Sequence, residues 1–225
     1  MDIDISQLGQ SSIFEGLSPR EIEDVLEQIF YTIKPYSQGQ IIFSQHRLSH
    51  SLGIILEGKV KVAKFLPSGK NIIIARFTPP ASFGEGTVFS QQEFNPSTVM
   101  ADSRARILFI DQANLLKLFA VNQQIMTNFL KLLSRRLLLL NQKISLLSLS
   151  SIREKLSYYL LDLSDKQNSL TVRLPYTRTY LANYLCIPRP SLSRELSRMQ
   201  KDGLILSEGR KITIIDIQAL ENLLL

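Results

Sequence analysis

Between Thr177 and Ile205 the chain reads TRTYLANYLCIPRPSLSRELSRMQKDGLI, and its apolar residues recur at helical spacing on either side of a tight, proline-flanked break. Thr177 caps the first run, whose apolar positions are Tyr180, Leu181, Tyr184 and Leu185, with small Ala182 where a second helix must come close. The second run begins near Pro188. Its Leu192, Leu196 and Met199 fall at i, i+4 and i+7, one buried stripe that turns Arg189, Ser193, Arg194 and Ser197 outward. This pattern predicts a helix-turn-helix. A short, polar, cationic face suits a helix lying in the major groove of DNA, where arginine forks match the O6 and N7 acceptors of guanine and small hydroxyl residues allow deep seating. A plain helical hairpin with solvated arginines is the competing explanation.

Downstream, Asp202 and Gly203 end the second helix, and two strands, Leu204 to Ser207 and Lys211 to Ile215, flank a Glu208-Gly209 turn. The pattern predicts a wing whose Leu204, Leu206, Ile212 and Ile214 cover the helices. Arg210 and Lys211 at its tip are placed to meet phosphate, although a solvated turn explains them equally well.

Upstream, Met126, Leu130, Leu133, Leu137, Leu140, Ile144 and Leu147 follow one another at alternating steps of 4 and 3. A helix with apolar residues at period 3.5 needs a partner helix, most simply its own copy in a second subunit. Phe129, Leu132 and Leu139 widen the stripe, so the other flank is expected to pack on its own domain; core packing alone is the alternative. Residues 34 to 110 are strand-like, with QIIFSQ, LGIILEGKVKVAKFL, KNIIIARF and ARILFI separated by turn formers and Pro67-Ser68-Gly69 as a hairpin turn. They predict an antiparallel β-barrel or jelly roll. Ahead of it, Ser18, Pro19 and Glu21 form a capping box for a helix with Ile22, Val25, Leu26, Ile29 and Phe30 on its apolar face.

Composition changes this picture little. The chain has 225 residues, enough for two domains, and a formal charge of +6. That bias is spread along the sequence, since residues 148 onward hold 11 basic and 8 acidic side chains. Cys186 is the one cysteine, so an intrachain disulfide and an intrachain iron-sulfur cluster are both ruled out by counting; a small buried turn residue is expected there, with a thiol switch as the alternative. His46 and His50, in SQHRLSHS, lack the further donors that zinc, iron or haem would need and read as solvated loop residues. No P-loop, HExxH or nucleophile elbow is present, so no enzyme is expected. The apolar run Leu137 to Leu140 is too short for a bilayer, and MDIDISQLGQ lacks the features of a signal peptide, which together predict a cytoplasmic protein without membrane contact.

The order of β-barrel, long helix and winged helix-turn-helix resembles the Crp/Fnr family of bacterial transcription regulators over nearly the whole chain. LEGKVKV at 56 to 62 is similar to that family's strand-turn-strand, FGEGTVF at 83 to 89 to its phosphate-binding cassette, and RPSLSREL at 189 to 196 to its recognition helix. The resemblance implies an α+β architecture in three parts: an effector-sensing barrel with its N-terminal helix over 1-110, a dimerisation helix over 111-147, and a DNA-binding domain over 148-225. It also implies a homodimer on a palindromic operator, with RNA polymerase as a further partner and Ser148 to Ser151 as hinge.

Residue roles follow position by position from that resemblance. Arg189, Ser193 and Arg194 would read bases, and Thr177, Arg178 and Ser191 would contact phosphates. Pro190 stands where the family has a glutamate, so the operator should differ from that of the cyclic-AMP receptor. Gly84, Glu85, Asn95, Ser97, Thr98, Leu140 and Asn141 would line the effector pocket. Cyclic-AMP members hold the phosphate with an arginine followed by serine; Asn95 and Pro96 occupy those places here, and Leu140 and Asn141 replace the adenine-contacting threonine and serine. Losing the charge-assisted pair points away from cyclic AMP and towards an apolar or weakly charged metabolite, or a vestigial pocket. A sensory module acting through protein contacts is the alternative function.

Overall fold

The computed structural model describes residues 4–66, 71–91, 94–175 and 177–224. The expected hairpin turn at Pro67, Ser68 and Gly69 lies outside them. Contacts divide the chain into two units, Met1–Arg136 and Leu137–Leu225, the cut falling inside one helix.

The first unit opens with helices α1 (Ile5–Gly9) and α2 (Pro19–Leu26). Both halves of the capping box form: Ser18 Oγ accepts from the Glu21 amide and the Glu21 carboxylate accepts from the Ser18 amide. Ile22, Val25, Leu26 and Ile29 are buried, but Phe30 is 80% exposed, because α2 stops at Leu26 and the helical stripe cannot extend to it. Eight strands follow: β1 (Thr32–Tyr36), β2 (Ile41–Phe43), β3 (Ser51–Glu57), β4 (Val60–Phe65), β5 (Asn71–Phe77), β6 (Ser82–Phe83), β7 (Thr98–Ala101) and β8 (Ala105–Asp111). They form two antiparallel sheets, β1-β8-β3-β6 and β2-β7-β4-β5, a jelly-roll sandwich.

Alternation along β3 and β8 explains how the unit is built. Ile55, Ala105, Ile107 and Phe109 face the second sheet and join Phe43, Val60, Phe83 and Val99 in the core between sheets. Leu52, Ile54, Leu56, Leu108 and Ile110 point the other way and are covered by α1, α2, α3 (Gln112–Val121) and the start of α4 (Gln123–Ser148). Both faces of β3 and β8 are therefore buried, which is why these two strands are nearly continuous apolar runs. The turn after β3 needs Gly58: its φ is +82°, and a Cβ there would sit 2.0 Å from the Arg104 carbonyl oxygen.

The stretch read as one long helix is two, because Asn122 leaves helical geometry and its side chain caps α4 by accepting from the Gln124 and Ile125 amides. Ile125 and Phe129 are buried in the first unit's core, and Leu132 and Leu133 pack against it. Of the heptad positions, Leu130, Leu137, Leu140, Ile144 and Leu147 are at least half exposed in the protomer. Leu139 was expected on the domain-facing flank; it is 63% exposed instead.

In the second unit, α4 is followed by α5 (Ile152–Gln167), β9 (Thr171–Arg173), α6 (Arg178–Tyr184), α7 (Arg189–Lys201), β10 (Ile205–Glu208), β11 (Lys211–Ile214) and α8 (Ile217–Asn222). Ser151 caps α5 through the Glu154 amide, and Glu154 returns to the Ser150 amide, fixing the segment after α4. Strands β10, β11 and β9 form an antiparallel sheet in the order β10-β11-β9. The register pairs Ile205 with Ile214 and Ser207 with Ile212, so Ile205 is the inward residue of β10 and Leu206 is 43% exposed. Leu206 was expected to cover the helices; the period-2 pleat places it on the opposite face.

Candidate functional site

Helices α6 and α7 cross as a helix-turn-helix whose buried side is Leu181, Ala182, Leu185, Leu192, Leu196 and Met199. Tyr180, expected on that side, is 48% exposed. Thr177 caps α6 by accepting from the Tyr180 amide. The turn runs through Cys186, whose φ is +54° and whose side chain is exposed rather than buried as expected; the left-handed backbone carries it away from the core. Pro188 and Pro190 set the first turn of α7, where a missing N–H has no partner to lose.

On the outer side of α7, Arg189 and Arg194 are exposed and Ser191 and Ser193 half-buried. Ser193, Arg194, Ser197, Arg198 and Lys201 line a shallow surface depression, so hydroxyls and cations share one face. Arg194 reaches Ser191 Oγ at 3.3 Å. The wing takes up two other cations. Arg178 donates to Ser207 Oγ at 3.0 Å and to the Gly209 carbonyl, tying α6 to the wing, and Arg210 folds back onto the Leu174 and Pro175 carbonyls. Lys211 and Arg210, both named from the sequence for phosphate, are exposed at the wing tip, Arg210 while making these backbone bonds.

The sequence pattern did not single out the residue that ties α5 to α7. Arg153 of α5 donates to Glu195 at 2.6 Å and pairs with Asp202 at 2.7 Å, and Arg198 lies 3.6 Å from Glu195. Glu195, nearly buried on the inner side of a basic helix, was the available signal.

The first unit holds a cavity of about 250 Å³ under the segment Phe83-Gly84-Glu85-Gly86-Thr87. Its walls are largely apolar, with Phe43, Val62, Phe77, Phe83 and Val99. Gly84 has φ +90°, and a Cβ would meet the Ser51 carbonyl oxygen at 2.6 Å, so the chain can bend there only as glycine. Glu85 is buried and forms an ion pair with Arg136 of α4, whose guanidinium stacks over the Phe77 ring at 5.6 Å. Burial raises the Glu85 carboxyl above its ordinary value, and Arg136 opposes that only in part. Arg136 was not foreseen, although a charge in an apolar helix face was a visible cue.

Of the residues proposed from the sequence for an effector pocket, Gly84, Glu85, Asn95 and Ser97 line this cavity. Asn95 is fully engaged elsewhere: its amide nitrogen donates to the Ser44 and Arg47 carbonyls at 2.8 and 2.7 Å and its oxygen accepts from the Ser49 amide. Thr98 does not line it, because its hydroxyl is turned to accept from the Gln45 amide. Leu140 and Asn141 are exposed residues of the second unit, while Arg136, in the first, lines the cavity.

Two domain families match in the order the fold requires: the cyclic nucleotide-binding domain over residues 33–122 and the Crp-like helix-turn-helix domain over 154–223. The chain belongs to the Crp/Fnr family. Among curated relatives, the cyclic AMP receptor protein of Thermus thermophilus is 27% identical over 87% of this chain and 88% of its own length. The anaerobic regulatory protein of Haemophilus influenzae is 29% identical over 97% of this chain and 85% of its own. The crystal structure of the Thermus thermophilus catabolite activator protein superposes with a TM-score of 0.57 at 23% identity, covering 95% of this chain and 98% of that one, which shows the shared fold. As a Crp/Fnr-type transcription regulator the chain has a helix-turn-helix DNA-binding domain and a domain of the cyclic nucleotide-binding type. Among the described residues no helix is long and apolar enough to cross a membrane, and no three metal-ligating side chains cluster.

Proposed function

We propose that this regulator binds a palindromic operator as a homodimer, with Arg189, Ser193 and Arg194 reading base edges and Thr177, Arg178 and Ser191 setting the register on phosphates. The observation that carries this reading is the face of α7: its apolar side is consumed by the core, while Arg189, Ser193, Arg194 and Ser197 are left on the outer side and, among the described residues, Arg189 and Arg194 form no ion pair. The exposed leucines and Ile144 of α4 supply the dimer seam.

The effector is an apolar or weakly charged metabolite rather than cyclic AMP. In support, the cavity is walled by aromatic and branched residues, the one cation among its described lining residues is already paired with Glu85, and Asn95 has no side-chain N–H left to donate to a phosphate. Such a ligand would favour one dimer packing only to the extent that it binds that packing better, with Ser148 to Ser151 as the hinge. RNA polymerase is the further partner such a regulator would meet at a promoter, in the cytoplasm.

Selection of bound sequences from random duplex DNA tests the reading. Enrichment of a palindrome by the purified protein, with no further gain from cyclic AMP, is the expected result; absence of any enriched sequence, with or without cell extract, would favour a module acting through protein contacts.

A further inference from the structure

A second cavity, of about 450 Å³, lies where the edge strands β1 and β2 of the two sheets part company. Its chemistry is opposite to that of the effector cavity. Lys34, Arg47 and His50 line it, hydroxyls of Tyr36 and neighbouring serines fill in between them, and among the described residues no carboxylate lines it. Among the described residues none of these three basic side chains forms an ion pair.

The position of Lys34 is informative. In the β1–β8 register it stands opposite Ile107, a residue of the core between the sheets, and cross-strand partners share a face. Lys34 is thus on the inner face of its strand, aimed at the space between the sheets. An inward lysine by itself blunts an edge strand against pairing. Here it is met by Arg47 from a different element, the 44–50 loop, with the His50 imidazole beside it, and two cations gathered round one cavity with no carboxylate among its described lining residues favour an anion.

That loop is also fixed from beneath. Asn95, buried at the place where an arginine was expected from the family pattern, holds it at the Ser44 and Arg47 carbonyls and the Ser49 amide. We propose that this cavity is a binding site for a small multivalent oxyanion, a phosphate or pyrophosphate group, held by Lys34, Arg47 and His50 on a loop that Asn95 preorganises. The site goes beyond the effector reading and does not rest on it. The two cavities nevertheless touch: Phe43 lines both, its ring edge-on to Phe83 at 5.2 Å on one side and tilted against Phe109 at 5.8 Å on the other, and Asn95 lines the effector cavity while clamping the loop.

Calorimetric titration of the full-length protein with pyrophosphate, at ionic strength held constant with chloride, is the test, repeated with a nucleoside monophosphate to separate a free from an esterified phosphate. Expected are one saturable site per chain, hydrogen-exchange protection of the 44–50 loop, and a loss of affinity of about tenfold or more in the Lys34→Gln/Arg47→Gln variant, as removal of charge-assisted bonds requires. Asn95→Ala, which leaves every cation in place, should weaken binding in the same direction. If the double variant melts below the parent, the single variants, whose side chains are exposed, carry the comparison. Absence of saturable binding, undiminished affinity in these variants, or protection centred on 189–201 overturns the proposal.

Discussion

Arg153 Nε and Glu195 Oε1 lie 2.6 Å apart, joining α5 to the inner side of α7. Glu195 first and then Asp202 hold the Arg153 guanidinium firmly in its charged form. With Glu195 nearly buried, removing the arginine leaves a carboxylate with only the longer Arg198 contact. Arg153→Met should destabilise the second unit by about 1 to 3 kcal/mol, since an orphaned buried acceptor loses its full desolvation cost. Urea unfolding measures this, and a midpoint equal to the parent's would show that the pair does not stabilise the second unit.

Arg194→Ala tests base reading. It should lose about 1 to 3 kcal/mol on the selected operator and little on random duplex of the same length. Lys211→Ala at the wing tip should instead weaken both DNAs alike and lower the salt dependence, as a phosphate contact does. Equal losses on the two DNAs for Arg194→Ala would move that residue to the backbone class.

How far this site could be seen in advance follows from which interactions are local. Caps and stripes are local, so Ser18, Thr177 and the Leu192-Leu196-Met199 row are where sequence spacing puts them. Strand β1 was largely invisible because Pro35 interrupts its pattern and half its face is occupied by Lys34, and β6 has only two residues. Long-range pairs were invisible in kind: nothing near Glu85 in sequence indicates Arg136, 51 positions away, and nothing near Glu195 indicates Arg153. Leu140 shows the limit of pattern alone, since an apolar heptad position that is 59% exposed in the protomer suits a partner helix as readily as a pocket.

The seam can be tested at one position without disturbing the protomer core. Leu133 packs partly against the first unit's core, whereas Leu137 is 61% exposed and belongs to no core cluster. Leu137→Glu should therefore leave thermal unfolding of a dilute sample close to the parent's while shifting the sedimentation profile towards monomer, because it places an unpaired charge in an apolar seam. A variant that sediments as the parent does would remove α4 from the dimer interface.

Glu85 makes a prediction about pH. Burial lifts its carboxyl above the ordinary 4.5 despite Arg136, so the folded chain holds this proton more tightly than the unfolded chain. The group therefore favours folding at pH values below the ordinary carboxyl range, and that advantage is lost as pH rises through the raised value. Glu85→Gln keeps a neutral side chain of the same shape throughout, and Arg136, 39% exposed, can turn to solvent. The stability difference between variant and parent should thus move in the variant's favour from about pH 4 to about pH 7, read as urea midpoints at matched salt. A difference that stays flat over that range would mean the ion pair fully offsets the burial of the carboxylate, and the cavity would then present a fixed charge to its ligand rather than a group that can take up a proton.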